Sequence, residues 1–290
     1  MALITSILVA IDESESSKSA LSVATELARK AGARLKGLYV EDIARLLQWE
    51  PVALMGAALG ASTALPKPLP TEEQIKVENE FIEERNKIQK YFDHACSNSE
   101  LTDITFFTKR GRIDEEIIEA SKMVDLVVIG ERGKPYPGKL QEPSSTTENI
   151  VRSCVKPVIV VPEKAKRTTR ILIGYDGSKA AQRALSNGAV FASIQSSEVE
   201  VLCVNGDTKK AEKHLNDASE FLISHGIEAK YIKSSQAKNP WQATIDHAIN
   251  FNAGLIIIGA FGDNKFKELI FGSTTHNVLV HTPCPVLLSR

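Results

Sequence analysis

Short, unbroken apolar runs alternate with longer stretches of mixed polarity along the whole chain. The clearest runs are Ile7-Leu8-Val9-Ala10-Ile11, Leu35 to Val40, Val127-Val128-Ile129, Ile171-Leu172-Ile173, Val199 to Val204 and Leu255-Ile256-Ile257-Ile258. Val/Ile/Leu runs without polar alternation belong to strands covered on both faces. They predict first-half strands over 4–11, 34–40, 103–108, 125–129 and 157–161, with helices over 15–31, 71–97, 112–122 and 145–153. The second half predicts strands over 170–175, 198–204, 227–232, 255–258 and 285–288, with helices over 178–194, 208–225, 240–250 and 273–281. Strands alternating with helices imply right-handed crossovers and a doubly wound parallel sheet, hence an α/β class.

The two halves repeat each other. Ile7-Leu8-Val9-Ala10-Ile11-Asp12 returns 164 positions later as Ile171-Leu172-Ile173-Gly174-Tyr175-Asp176, and the offset still holds at Val40 and Val204. It falls to 129 for Val127-Val128-Ile129-Gly130 against Ile256-Ile257-Ile258-Gly259. It is 128 for Ser145-Thr146-Thr147-Glu148-Asn149 against Ser273-Thr274-Thr275-His276-Asn277, and for Pro157-Val158 against Pro285-Val286. Ordered matches of this kind are the mark of duplication. The first half carries an insert over about 41–70, apolar around Leu46, Leu47 and Trp49 and closed by Pro66-Lys67-Pro68-Leu69-Pro70. An excursion of that length is expected either to fold over the first-half site or meet a partner, or to be plain packing. The linker, Pro162 to Thr169, is short and charged.

Composition narrows the partners. A formal net charge of −1 over 290 residues gives no pull toward nucleic acid or anionic membrane. No stretch reaches the roughly 18 apolar residues of a membrane span, and the N-terminal run lacks a basic leader and reads as a strand. The four cysteines lie far apart without a Cys-x-x-Cys, which points to reduced thiols in a cytoplasmic protein.

The candidate chemistry follows Ile258. Gly259-Ala260-Phe261-Gly262 is followed, after nine residues, by Gly272-Ser273-Thr274-Thr275 at the start of a predicted helix. Strand, glycine loop and helix start together turn backbone N–H groups toward phosphate. Glycine removes the side chain that would keep an anion away. Ser273 is a good N-cap, and the helix dipole favours an anion there by about 0.3–1 kcal/mol. Lys265 and Lys267 lie within the loop. Asp12 and Asp176 end the first strand of each half. Ligands of doubly wound sheets bind beyond the carboxyl ends of strands where the winding reverses. If the first and fourth strands are neighbours, acid and loop converge on one crevice. Each feature also has a plain reading: Asp176 as a turn former, Gly259 and Gly262 as tight-turn residues, Ser273 to Thr275 as capping.

On these residues each half resembles the universal stress protein domain, and the chain resembles a tandem universal stress protein. Domain 1 is expected over 1–163 and domain 2 over 168–290, each a five-stranded Rossmann-like unit. The family pattern of Gly, two residues, Gly, nine residues, Gly, Ser or Thr is matched by Gly259, Gly262, Gly272 and Ser273. The resemblance implies ATP or ADP, with or without Mg, in the second half. It implies that Gly174, Tyr175 and Asp176 line the adenosine part, while the Val204 backbone meets the adenine edge. Ile258, Gly259, Phe261 and Gly262 would pass the phosphates, and Gly272, Ser273, Thr274 and Thr275 would hold them. It also implies that the halves pair through their last strands as an internal pseudo-dimer, with further homodimerisation open. Function would then be regulatory, in the stress response, with a protein partner not specified by the sequence.

The first half departs from this pattern. Asp12, Val40, Gly130, Gly133, Ser145 and Thr146 keep their places, but Ser144 stands where the second half has Gly272, and the loop holds Pro135, Pro137 and Pro143. Each proline removes a backbone donor, and Glu131 brings a negative charge that Arg132 partly offsets. Weak or absent nucleotide binding is expected there. No P-loop, nucleophile elbow or paired metal-spaced histidines occur. His276, in the first turn of the last helix, lies near the expected phosphates. The alternatives are a scaffold protein with two vestigial crevices and a slow ATPase.

Overall fold

The computed structural model describes residues 4–48, 67–68, 71–97, 99–133, 145–166, 168–235, 239–260 and 273–290. The first half runs β1 (Ser6–Ala10), α1 (Glu15–Ala31), β2 (Arg34–Asp42), a 3-10 turn (Ile43–Leu46), β3 (Leu47–Gln48), β4 (Lys67–Pro68), α2 (Thr71–Ser97), β5 (Ile104–Gly111), α3 (Ile113–Ser121), β6 (Leu126–Gly130), α4 (Ser145–Ser153) and β7 (Val158–Val161). The second half runs β8 (Arg170–Gly174), α5 (Lys179–Gln195), β9 (Glu198–Val204), α6 (Thr208–Ser224), β10 (Ala229–Ser234), α7 (Pro240–Phe251), β11 (Leu255–Gly259), α8 (Ser273–His281) and β12 (Val286–Ser289). The expected elements are present within a few residues of their expected ends. Most of the insert lies outside the described residues; its two described ends pair as the β3–β4 ribbon.

Ten strands form one sheet in the order β10-β9-β8-β11-β12-β7-β6-β1-β2-β5. Each half is parallel throughout, and the winding reverses between its first and fourth strands, β1 beside β6 and β8 beside β11. The halves meet at β7 and β12, which pair antiparallel with Leu287 opposite Ile159. The expected association through last strands is therefore the observed one. Strands β6, β7, β11 and β12 are buried along nearly their whole length, which is why their sequences read as unbroken apolar runs. One core layer packs Ile7, Val9, Val128, Ile173 and Val201 under α1, α2, α5 and α6. The other packs Leu8, Val127, Ile129, Ile256 and Ile258 against α3, α4, α7 and α8.

Local chemistry sets the helix ends near the reversal points. Ser14 and Ser178 cap α1 and α5, accepting from Ser17 N at 3.2 Å and Ala181 N at 3.1 Å. At the opposite rim the Asp125 carboxylate accepts from Thr5 N at 2.9 Å, Thr5 Oγ1 at 2.7 Å, Ser6 N at 3.0 Å and Ser6 Oγ at 3.2 Å, tying the entry of β6 to that of β1.

Candidate functional site

In the second half, β8 ends at Gly174 and the chain turns through Tyr175, Asp176 and Gly177 into α5. Alternation along the strand sends the Tyr175 ring into the core with Ile171 and Ile173, edge-on to His214 at 6.3 Å. Only the main chain of Tyr175 faces the crevice, its N–H donating to Leu202 O at 2.9 Å. Asp176 is exposed, with one carboxylate oxygen accepting from Ser178 N at 3.0 Å.

Beside this turn, β11 delivers Ile258 and Gly259. The Gly259 main chain lies so close to the start of α5 that a Cβ there would sit 2.5 Å from Ala180 C and 2.6 Å from Ala181 N. The first duty of this glycine is thus to let strand and helix touch. Gly174 is tight only against a methyl of Ile258, at 3.0 Å. Ala260 is buried and donates its N–H to Ser289 O at 2.7 Å. Phe261, Gly262, Lys265, Lys267 and Gly272 lie outside the described residues. Helix α8 begins at Ser273; Ser273 and Thr274 are exposed and Thr275 is buried.

Strand β9 supplies the third wall. It runs past the end of β8, since Gly174 pairs with Leu202 and the ladder with β8 stops there. Backbone groups alternate sides along a strand. Leu202 O faces β8, so the N–H and C=O of Val204 face the same way, beyond the last paired residue of β8.

The first-half crevice has the same frame but different contents. A Cβ on Gly130 would lie 2.6 Å from Ser16 Oγ and 2.9 Å from Ser17 N, and one on Gly133 would lie 3.2 Å from Asp12 Oδ2. Acid and loop therefore converge, as the reversal of winding predicts. They are already engaged with each other: Ser14 Oγ donates to Asp12 Oδ1 at 2.5 Å and lies 3.1 Å from Arg132 O, and Ser16 Oγ donates to Arg132 O. Ser17 Oγ accepts from Asp12 N at 2.8 Å. The second half has Ala180 and Ala181 at the positions of Ser16 and Ser17, so no hydroxyl stands at either place.

Glu131, at the position of Ala260, is buried. Burial pushes its carboxyl above the usual range and Glu163 adds to the rise, while Arg132, 3.4 Å away, pulls the other way. Arg132 thus offsets Glu131 only in part, as the sequence suggests, and the carboxyl stays raised. Ser144 is outside the described residues, Ser145 and Thr146 open α4, and Thr147 Oγ1 donates to Glu131 O at 3.1 Å.

A second difference was not visible in the sequence. Strand β2 continues past Val40 through Glu41 and Asp42, paired with Arg110 and Gly111 of β5. Buried Glu41 accepts from Arg110 Nε at 2.8 Å, and Arg110 also holds both oxygens of Glu78. Arg45 joins Glu80 at 2.6 Å and Glu84 at 2.8 Å, and Glu84 accepts from Tyr39 OH at 2.7 Å. Both guanidinium groups lie over the Phe81 ring, at 4.6 and 5.6 Å. Hydrogen bonds donated to Glu78 and then to Glu41 push the Arg110 pKa further up, so this charge is permanent. Helix α2 is thereby fastened across the carboxyl end of β2; in the second half Val204 and Asn205 stand at the positions of Val40 and Glu41.

His276 is half-exposed. Its Nδ1 lies 2.9 Å from Glu148 Oε1, across the junction of the halves. All four cysteines are free and buried, and burial raises the Cys284 thiol to about 12 and the Cys96 thiol to about 11, too high for thiolate chemistry near neutrality. Among the described residues no group of three or more His, Cys, Asp or Glu could hold a metal, and no helix is long and apolar enough to cross a membrane.

A model of the universal stress protein family matches residues 4–162 and again 167–290. Universal stress protein Slr1230 of Synechocystis is 28% identical over 299 aligned residues, which cover 98% of this chain and 99% of that one. Universal stress protein YxiE of Bacillus subtilis is 25% identical over 147 residues, 98% of its own length but 42% of this chain. The crystal structure of a universal stress protein from Archaeoglobus fulgidus superposes with a TM-score of 0.70 at 22% identity, covering 98% of this chain and 96% of that one.

Proposed function

Since the chain belongs to the universal stress protein family, we propose that it is an adenine-nucleotide-responsive regulatory protein whose second half holds ATP or ADP and whose first half is a structural partner. The observation that carries this reading is the contrast between two homologous crevices. In the second, Asp176, Ser273 and Thr274 are exposed, and the Val204 main chain faces the gap beyond β8. In the first, serine hydroxyls tie the loop to α1, and a buried carboxylate stands beside it.

The chemistry supports an anionic ligand with a polar edge. Ser273 and Thr274 bring hydroxyls to a helix start, where phosphate oxygens are favoured. Asp176 can accept from ribose hydroxyls, a charge-assisted bond worth about 1.5–3 kcal/mol. Among the described residues none is placed as a general base, so the reading is of a protein that holds and reports nucleotide, with slow hydrolysis as the alternative that the assay below separates. The domain limits proposed are 1–163 and 168–290.

Mass spectrometry of small molecules released on denaturation, followed by titration calorimetry with ATP, ADP and AMP, tests the reading. One site per chain is expected. Asp176→Ala and the Ser273→Ala/Thr274→Ala pair should each weaken it at least about tenfold, the equivalent of about 1.4 kcal/mol. The Asp12→Ala variant should leave affinity unchanged. Silence toward every adenylate would refute the proposal in favour of a scaffold. Phosphate release by the wild type above that of the Ser273→Ala/Thr274→Ala variant would establish a slow ATPase instead.

A further inference from the structure

The strand junction and the His276–Glu148 contact lie on one symmetry axis. Leu287 faces Ile159 in the antiparallel β7–β12 pair, and these two residues are 128 positions apart in the repeat. His276 and Glu148 are also 128 positions apart, each the fourth residue of its helix, Ser273-Thr274-Thr275-His276 against Ser145-Thr146-Thr147-Glu148. Equivalent positions meet only on a twofold axis. Two halves with the same residue here would therefore press it against its own copy.

Most of the junction cannot tell one half from the other. Its ladder is made by Val158-Ile159-Val160 and Val286-Leu287-Leu288, all buried and apolar, with main-chain hydrogen bonding that is the same whichever halves pair. Among the described residues, the other side-chain contacts across it are Lys30 Nζ to Gln195 Oε1 at 3.4 Å and Arg290 Nη1 to Arg152 O at 2.8 Å. Both lie off the axis, and neither opposes two ionisable side chains. Among the contacts of the described residues, the axial position is the one that sets an acid against a base.

We propose that the Glu148–His276 pair makes this interface selective for unlike halves, so that the chain closes on itself in preference to pairing like half with like half from a second copy. A first-half pair would set Glu148 against Glu148, and a second-half pair would set His276 against His276. A copy-to-copy exchange forms both unfavourable contacts at once, so the two biases multiply. With side chains 32% and 42% exposed, each contact biases the choice by at most about fivefold. This selectivity depends on the two helix starts and the junction, not on any nucleotide.

Two single substitutions recreate the rejected contacts inside the full-length chain. His276→Glu imposes the acid–acid arrangement and Glu148→His the base–base arrangement, while the double exchange restores acid against base with the partners reversed. Thermal unfolding in low salt near pH 7, without nucleotide, gives a double-mutant cycle that cancels each residue's own effect on its helix. The acid–acid variant should melt about 2 °C or more below the wild type, and the double exchange should recover most of that loss. Light scattering after refolding at high concentration should show more dimer for the two singles than for the wild type or the double. A double exchange that melts at the sum of the two single losses, or dimer fractions equal across all four proteins, would overturn the proposal. A failure to bind nucleotide would leave these readings unchanged, so the two proposals are judged separately.

Discussion

Replacing Gly259 by Ala separates the two jobs a glycine can have at this place. A Cβ would sit 2.5 Å from Ala180 C, 2.6 Å from Ala181 N and 2.8 Å from Ala180 Cβ. Two of those atoms are main chain, so no rotamer change relieves the contact; α5 and the Asp176 turn must move together. Overpacking of this kind costs about 1–3 kcal/mol, or about 2–4 °C in Tm for each kcal/mol in a chain of this size. Gly130→Ala is the matched control, because its Cβ meets Ser16 C and Ser17 N at 2.9 Å in the half for which no ligand is proposed. Gly174→Ala meets only an Ile258 methyl at 3.0 Å and should cost far less. Denaturant titration of the three variants, with and without ATP, is the assay. Gly259→Ala and Gly130→Ala should lose similar stability without ligand. A Gly259→Ala protein as stable as the wild type, losing only its ATP response, would refute the packing account and return this glycine to the phosphates.

Two further predictions come from carboxylates, half-buried Asp125 and buried Glu131. Burial alone would raise the Asp125 pKa, but the bonds from Thr5 and Ser6 outweigh it and hold the carboxyl below its usual range. Its contribution is therefore present above the unfolded value near pH 4 and fades as pH falls through the folded one. Asp125→Asn should destabilise by about 1–3 kcal/mol at pH 7, with the gap to wild type closing in acid, as urea titrations from pH 7 to 3 can show. Glu131 has the opposite sign, raised first by burial. Its ionised form weighs against folding above its folded pKa and not below its unfolded one. Glu131→Ala, which copies Ala260, should raise stability by up to about 1 kcal/mol at pH 7 and lose that gain near pH 4, measured in the same titrations.

The spans of strands and helices were legible because unbroken apolar runs and cap residues are local signals, and the repeat fixed which runs correspond. The convergence of Asp12 with Gly130 and Gly133 followed from the reversal of winding alone. The inward ring of Tyr175 was legible, since alternation from Ile171 and Ile173 sends it into the core, which leaves its main chain for the lining the resemblance implies. Glu41 was not legible. An acid after a strand reads as loop, and its partners Arg85 and Arg110 stand far along the chain on other elements. The His276–Glu148 contact lay between these cases. Nothing near His276 announces it, yet the constant 128-residue spacing, together with pairing through the last strands, already sets these positions near one axis.

The antiparallel turn at the middle of the sheet has a geometric outcome. Since the strands of the two halves run in opposite senses, their carboxyl ends emerge on opposite rims. The Asp176 mouth and the Asp12 mouth look away from each other, like doors at the two ends of a corridor. A macromolecule resting on one rim can sense what fills one mouth and is blind to the other. One copy of the duplicated site could thus drift shut, its floor serined over and its lintel bolted by arginines, without disturbing the approach to its twin.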